Sequence, residues 1–159
     1  MAATQTRVTY PTVTPMIAYE DAASALDWLS RAFGFRERMR YAEPSGTVTH
    51  AEMEVGDGLI MLATPMPDYR SPRHHRETCD EARQWSTVPY VIDGVHVYVD
   101  DVEAHFRRAK EAGATVLSEV QDTEYGDRQY RVEDLEGHRW LFSQHLRDVA
   151  PDDWGATTS

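Results

Sequence analysis

The apolar and polar positions of this chain follow one pattern that is used twice. In the second half, Val95, Val97 and Val99 alternate with Gly94, His96 and Tyr98, the period of two expected of a strand with unlike faces. Asp100 or Asp101 then caps a helix whose Val102, Phe106, Ala109 and Ala112 form one apolar stripe, and Gly113 stops it where a left-handed residue is wanted. Three short strands follow over 114–119, 127–133 and 138–145, with Asp134, Leu135, Glu136 and Gly137 turning between the last two. The first half repeats this order. A strand over 12–19 leads to a helix capped by Asp21, with Ala22, Ala25, Leu26, Leu29 and Phe33 on its buried side and Gly34 at its end. Strands over 35–43, 47–55 and 58–64 come next, separated by Pro44-Ser45-Gly46 and Gly56-Asp57-Gly58. Two weakly similar βαβββ units about 80 residues apart predict a duplication.

The motifs carried by this order resemble a known family. Phe33-Gly34 after the first helix, Ala112-Gly113-Ala114 after the second, Tyr125-Gly126-Asp127-Arg128, and the run from Asp134 through Gly137, His138 and Arg139 to Trp140 are similar to the vicinal-oxygen-chelate superfamily, which includes glyoxalase, bleomycin-resistance and extradiol-dioxygenase proteins. The resemblance covers roughly residues 10–147 and is most specific in the second unit. It implies an α+β fold in which two βαβββ modules, about 10–64 and 92–147, curl eight strands of mixed sheet into a cup with helices outside. A ligand sits in the cup, and two chains commonly associate as a homodimer.

Composition changes this picture little. The 159 residues suffice for one domain with a substantial core. The lone cysteine, Cys79, rules out an internal disulfide, and neither a signal peptide nor a membrane-length apolar run is read, so a soluble cytoplasmic protein is expected. A formal charge of −11 argues against nucleic acid as a partner. The irregular stretch 65–91 predicts a linker or lid containing a short helix near 75–84; there Trp85 needs a place for its ring, at the cup mouth or on outer helices. Residues 148–159 read as an acidic tail, with Trp154 free to dock.

The chemistry depends on strand register. In metal-dependent relatives, the first and last strands of each module supply the ligands of a divalent ion. Carried onto this chain, those positions are Thr14, Met61, Gly94 and Phe142, none of which is a good donor, so no metal or other cofactor is expected. A shift of register by two brings in His96 and Gln144. Since alternate residues share a face, the cup wall is expected to hold Thr14, Met16 and Ala18, then His50, Glu52 and Glu54, then Gly94, His96 and Tyr98, and finally Trp140, Phe142 and Gln144. Arg128 is expected to pair with one of these acids or with Asp134, and His138 to stabilise its turn. This aromatic and acidic wall predicts metal-independent binding of an aromatic or cationic small molecule. The alternative is a glyoxalase-, isomerase- or dioxygenase-like enzyme using His50, Glu52 and His96 as a displaced site for a divalent metal or for acid/base chemistry.

Overall fold

The computed structural model describes residues 9–90 and 94–159. Its first module runs β1 (Met16–Ala18), α1 (Ala22–Phe33), β2 (Arg36–Ala42), β3 (Val48–Val55) and β4 (Gly58–Ala63). The linker forms two short helices, α2 (Pro72–Thr78) and α3 (Asp80–Trp85). The second module runs β5 (Gly94–Tyr98), α4 (Val102–Glu111), β6 (Thr115–Asp122), β7 (Asp127–Glu133) and β8 (Arg139–His145). The strands form two four-stranded sheets, ordered β1-β4-β3-β2 and β5-β8-β7-β6. In each, the first and last strands of the module are parallel and the other pairs antiparallel. The expected pair of βαβββ modules is therefore present, with its eight strands divided between two sheets. No helix among the described residues is long and apolar enough to cross a membrane.

Each module helix is set by its own ends. Asp21 accepts a hydrogen bond from the Ser24 amide at 3.1 Å, and Asp101 accepts one from the Ala104 amide at 3.0 Å. These contacts satisfy donors that the first helical turn leaves open. α1 buries Ala22, Ala25, Leu26, Trp28, Leu29, Ala32 and Phe33, a wide stripe at helical spacing. α4 buries Val102 and Ala109, with Phe106 and Ala112 packed at the margin.

The helix-facing sides of both sheets drain into one core. Phe33, the last residue of α1, is its hub, with ring centroids 5.1 Å from Trp28, 5.5 Å from Trp140 and 4.8 Å from Phe142. Helix α1 packs against α4, and the Trp28 indole donates to the Ala112 carbonyl at 3.0 Å. His105 spans the same seam, one ring nitrogen 2.9 Å from the Phe33 carbonyl and the other 2.5 Å from the Tyr130 hydroxyl. The modules thus meet through their helices, and each sheet turns its second face away from this core.

A second junction is polar and uses the turn between β7 and β8. The fully buried Asp134 accepts from the Tyr19 hydroxyl at 2.6 Å, from the Trp140 indole at 3.1 Å, and from the amides of Glu136 and His138 at 3.0 Å each. Glu136 accepts from the amides of Glu20 and Asp21 at 2.7 and 3.1 Å, where α1 begins. His138 donates through Nε2 to the Ala18 carbonyl at 2.7 Å. The turn-stabilising role expected of His138 therefore extends across the modules. Burial, reinforced by the Asp134 carboxylate, raises the Tyr19 phenol well above its ordinary value, so it serves as a donor at any physiological pH.

Glycine is required where chains approach closely. Gly126 has φ +96°, and a Cβ there would lie 2.1 Å from the Arg147 carbonyl oxygen, which the chain after β8 brings back over the turn. Gly137, at φ +89°, leaves room for the Arg73 backbone at the start of α2.

Replacing Asp134 with Ala strands four buried donors at once. Urea denaturation should show a loss of roughly 3 kcal/mol or more, in line with several unsatisfied buried groups. A loss under about 1 kcal/mol would mean that this junction contributes little.

Candidate functional site

The open faces of the two sheets are the surfaces available for a ligand. In sheet one, Met16 of β1 pairs with Met61 of β4, which pairs with Glu52 of β3. Alternation places His50, Glu52 and Glu54 on this face and leaves Ala51 and Met53 to the core. Glu52 is only 2% exposed because Arg38 covers it. A bulge between Glu37 and Met39 aims that guanidinium inward, with Nε 2.9 Å from a Glu52 oxygen, while His50 and the Tyr10 hydroxyl reach the other oxygen at 3.2 and 3.3 Å. Burial by itself would raise the Glu52 carboxyl, but the hydrogen bonds from Arg38 and His50 outweigh it and hold the group below its ordinary value. Glu54 is paired with Arg36. The carboxylates expected to attract a cation are already neutralised by arginines of β2. Met16, 80% exposed, borders a shallow cavity of about 150 Å³ with His50 and Met61.

In sheet two, the open face is read from the β5–β8 pairing: Gly94 beside Arg139, His96 beside Leu141, and Tyr98 beside Ser143. Leu141 is followed across the sheet by Arg131, and Ser143 by Gln129. This register corrects the expected wall. Trp140 and Phe142 face the helices, 1% and 0% exposed, stacked in the core against Phe33. Gln144 shares their side, and its side-chain oxygen accepts from the Val102 amide at 3.1 Å, at the start of α4. Arg128 also lies toward α4, bonded to Asp122 at 2.6 Å and Glu103 at 3.2 Å instead of to Asp134 or a face acid.

His96 and Tyr98 lie on the open face, their rings 4.8 Å apart. His96 Nε2 lies 2.7 Å from the Ser143 hydroxyl, which also lies 3.4 Å from the Gln129 side-chain oxygen. Burial lowers the His96 pKa, which favours the neutral ring. Tyr98 donates to the buried Asp127 at 2.8 Å, and Asp127 also meets His145 at 2.8 Å. His145 in turn reaches Asp148 at 2.7 Å. The two carboxylates raise the His145 pKa. This Tyr98–Asp127–His145 chain is a feature that sequence reasoning missed; its signal was that Asp127 opens β7 and His145 closes β8, so antiparallel pairing sets them side by side.

A cavity of about 250 Å³ opens at the Gly94 end of this face, lined by His96, Arg131, Arg139, Leu117, Leu141 and the linker residue Tyr90. The linker is fastened here. Arg139, 4% exposed, donates to the carbonyls of Val88 and Ser86, and Arg76 of α2 donates to Glu133 of β7 at 2.8 and 2.9 Å. Trp85 stands elsewhere, 61% exposed, beside a groove of about 440 Å³ between α2 and α3 that also includes Tyr69, Pro72 and Cys79. Trp154 rests its ring 5.4 Å from that of Tyr125.

The donor set does not fit a divalent transition metal. Where the first and last strands meet, Met16 and Met61 occupy one module and Leu141 stands opposite His96 in the other. Phe142 is turned to the core, and Thr14 precedes β1. Among the described residues, no three His, Cys, Asp or Glu side chains converge. His50 and Glu52 touch each other in sheet one, and His96 lies in sheet two, so the chain does not gather the three residues of the alternative enzyme site.

Comparison with known proteins places this geometry. Residues 12–142 match the model of the Glyoxalase/Bleomycin resistance protein/Dioxygenase superfamily. An uncharacterized protein of Mycobacterium tuberculosis strain H37Rv is 33% identical over 153 residues, spanning 94% of this chain and 83% of its own length. Among solved structures, TioX from Micromonospora sp. ML1 is 35% identical, with a TM-score of 0.64 over 87% of this chain and all of TioX. A glyoxalase/bleomycin resistance protein/dioxygenase family enzyme from Burkholderia phytofirmans PsJN, 19% identical, shares the fold with a TM-score of 0.58 over 84% of this chain and 97% of its own. The two βαβββ modules, the turn motifs that join them and these likenesses agree: the chain belongs to the glyoxalase/bleomycin resistance protein/dioxygenase superfamily.

Proposed function

We infer that the protein binds a small organic molecule on the open faces of its sheets, and that it does so without a metal ion. The observation that carries this reading is the donor set: methionine, leucine and a single histidine stand where the first and last strands of the modules meet. What the faces offer instead is uncovered apolar and aromatic surface, including Met16, Tyr41, Tyr90 and Tyr98. Such surface favours an organic ligand or another protein chain. An aromatic ligand suits it. A cationic one has lost its motive on sheet one, because Glu52 and Glu54 already have Arg38 and Arg36.

A homodimer belongs to the same reading. Among the described residues, each sheet ends in unpaired edge strands, β1 and β2 in one and β5 and β6 in the other, and each leaves a face without a sheet or helix layer packed on it. A second copy supplies that layer and encloses a ligand between faces that are shallow on one chain.

Two measurements test these statements. After dialysis, elemental analysis should find far less than one zinc, nickel, iron or manganese per chain; about one metal per chain, retained, would overturn the metal-free reading. Light scattering at micromolar concentration should give twice the mass of one chain, and a monomer mass would reject the dimer.

A further inference from the structure

The cavity beside β5 brings two arginines, Arg131 and Arg139, into one lining. The chain carries 27 acidic and 16 basic residues, yet here two arginines share one carboxylate and a third, Arg131, lines the same cavity. Glu133 is committed to Arg76 at 2.8 Å and lies 3.5 Å from Arg139. Arg139 is buried, its two terminal nitrogens are spent on the carbonyls of Val88 and Ser86, and its Nε has no hydrogen-bond partner. Arg131 is half-buried in the same wall and forms no ion pair with any carboxylate among the described residues. His96, in the same lining, carries no negative charge and does not compensate either cation. A positive surplus at a partly desolvated concave surface is relieved by a bound anion. Leu117, Leu141 and the Tyr90 ring supply the apolar part of the lining.

We propose that this cavity anchors a carboxylate carried on a small aromatic or apolar body, with the Arg131 guanidinium as its ion-pair partner and Arg139 as a fixed neighbouring charge. The proposal rests on the small-molecule-binding reading above and names the ligand class. A guanidinium fork with no carboxylate partner among the described residues matches a planar carboxylate, which accepts two parallel N–H bonds. A dianionic phosphate asks for more donors than Arg131 alone offers, since the Arg139 termini are occupied. The cavity volume of about 250 Å³ accommodates the anchoring end of such a molecule, with the remainder lying along His96 and Tyr98.

Titration calorimetry at low salt with naphthoate, naphthamide and naphthylmethylammonium tests this on the parent protein. These probes share one body and differ in charge. Naphthoate should bind about tenfold tighter than the amide, as one charge-assisted contact provides, and the difference should shrink as salt is added. Arg131→Gln should abolish the preference, while Arg107→Gln, on the exposed side of α4, should keep it. Equal binding of carboxylate and amide, or a preference that survives Arg131→Gln, would overturn the assignment. The comparison of probes on the parent needs no variant to fold. If the ammonium binds best, small-molecule binding stands and the anion site falls; if none of the three binds, both fall.

Discussion

The polar junction between the two modules turns on the carboxylate of Asp134. It is fully buried and accepts four hydrogen bonds, one from Tyr19 of the first module, one from Trp140 of β8 and two from the turn that contains it. A buried carboxylate with fewer partners would be strongly unfavourable, so the group is tolerable only when both modules are in place. Glu136 and His138 then reach the start of α1 and the end of β1 from the same turn. The Asp-Leu-Glu-Gly-His-Arg-Trp run is thus a joint, in which Arg139 adds the linker as a third party.

The apolar half of the junction complements this. Phe33 closes α1 in the midst of Trp28, Trp140 and Phe142, and its rotational freedom is removed by aromatic edges on several sides. Because the helices meet at this core, the remaining face of each sheet is left to other business. Near His50 that face is electrically settled, since Arg38 and Arg36 answer Glu52 and Glu54. Near His96 the lining includes two arginines, Arg131 and Arg139.

Much of this was legible in the sequence, and the parts that were not have physical reasons. Caps at Asp21 and Asp101, apolar stripes at helical spacing and glycine stops are local signals, and the elements they predict are found. β5 alternates cleanly, so His96 and Tyr98 were assigned to the right side. β8 does not: Trp140, Leu141 and Phe142 are consecutive apolar residues, and a one-residue slip exchanges its faces. The register carried over from the family put Trp140 and Phe142 on the wall, whereas the space beside Phe33 took them. Arg38 was invisible as the partner of Glu52 because a bulge in β2 breaks the count between them. The grip of Arg76 and Arg139 on sheet two joins residues far apart in the chain, for which no local pattern exists. The linker accordingly read only as an irregular segment with a short helix, whereas two helices form.

The alternation of β8 has a consequence for how such a protein can change over generations. Trp140 and Phe142 are bound to the joint and the core, whereas Leu141, between them, meets neither and looks out beside His96. Neighbouring codons therefore answer to different demands: Trp140 and Phe142 are held by the architecture, and Leu141 between them is free to vary with whatever the surface is asked to recognise. A lineage can alter the chemistry of this open face by a single step at Leu141 without reopening the question of whether the chain folds.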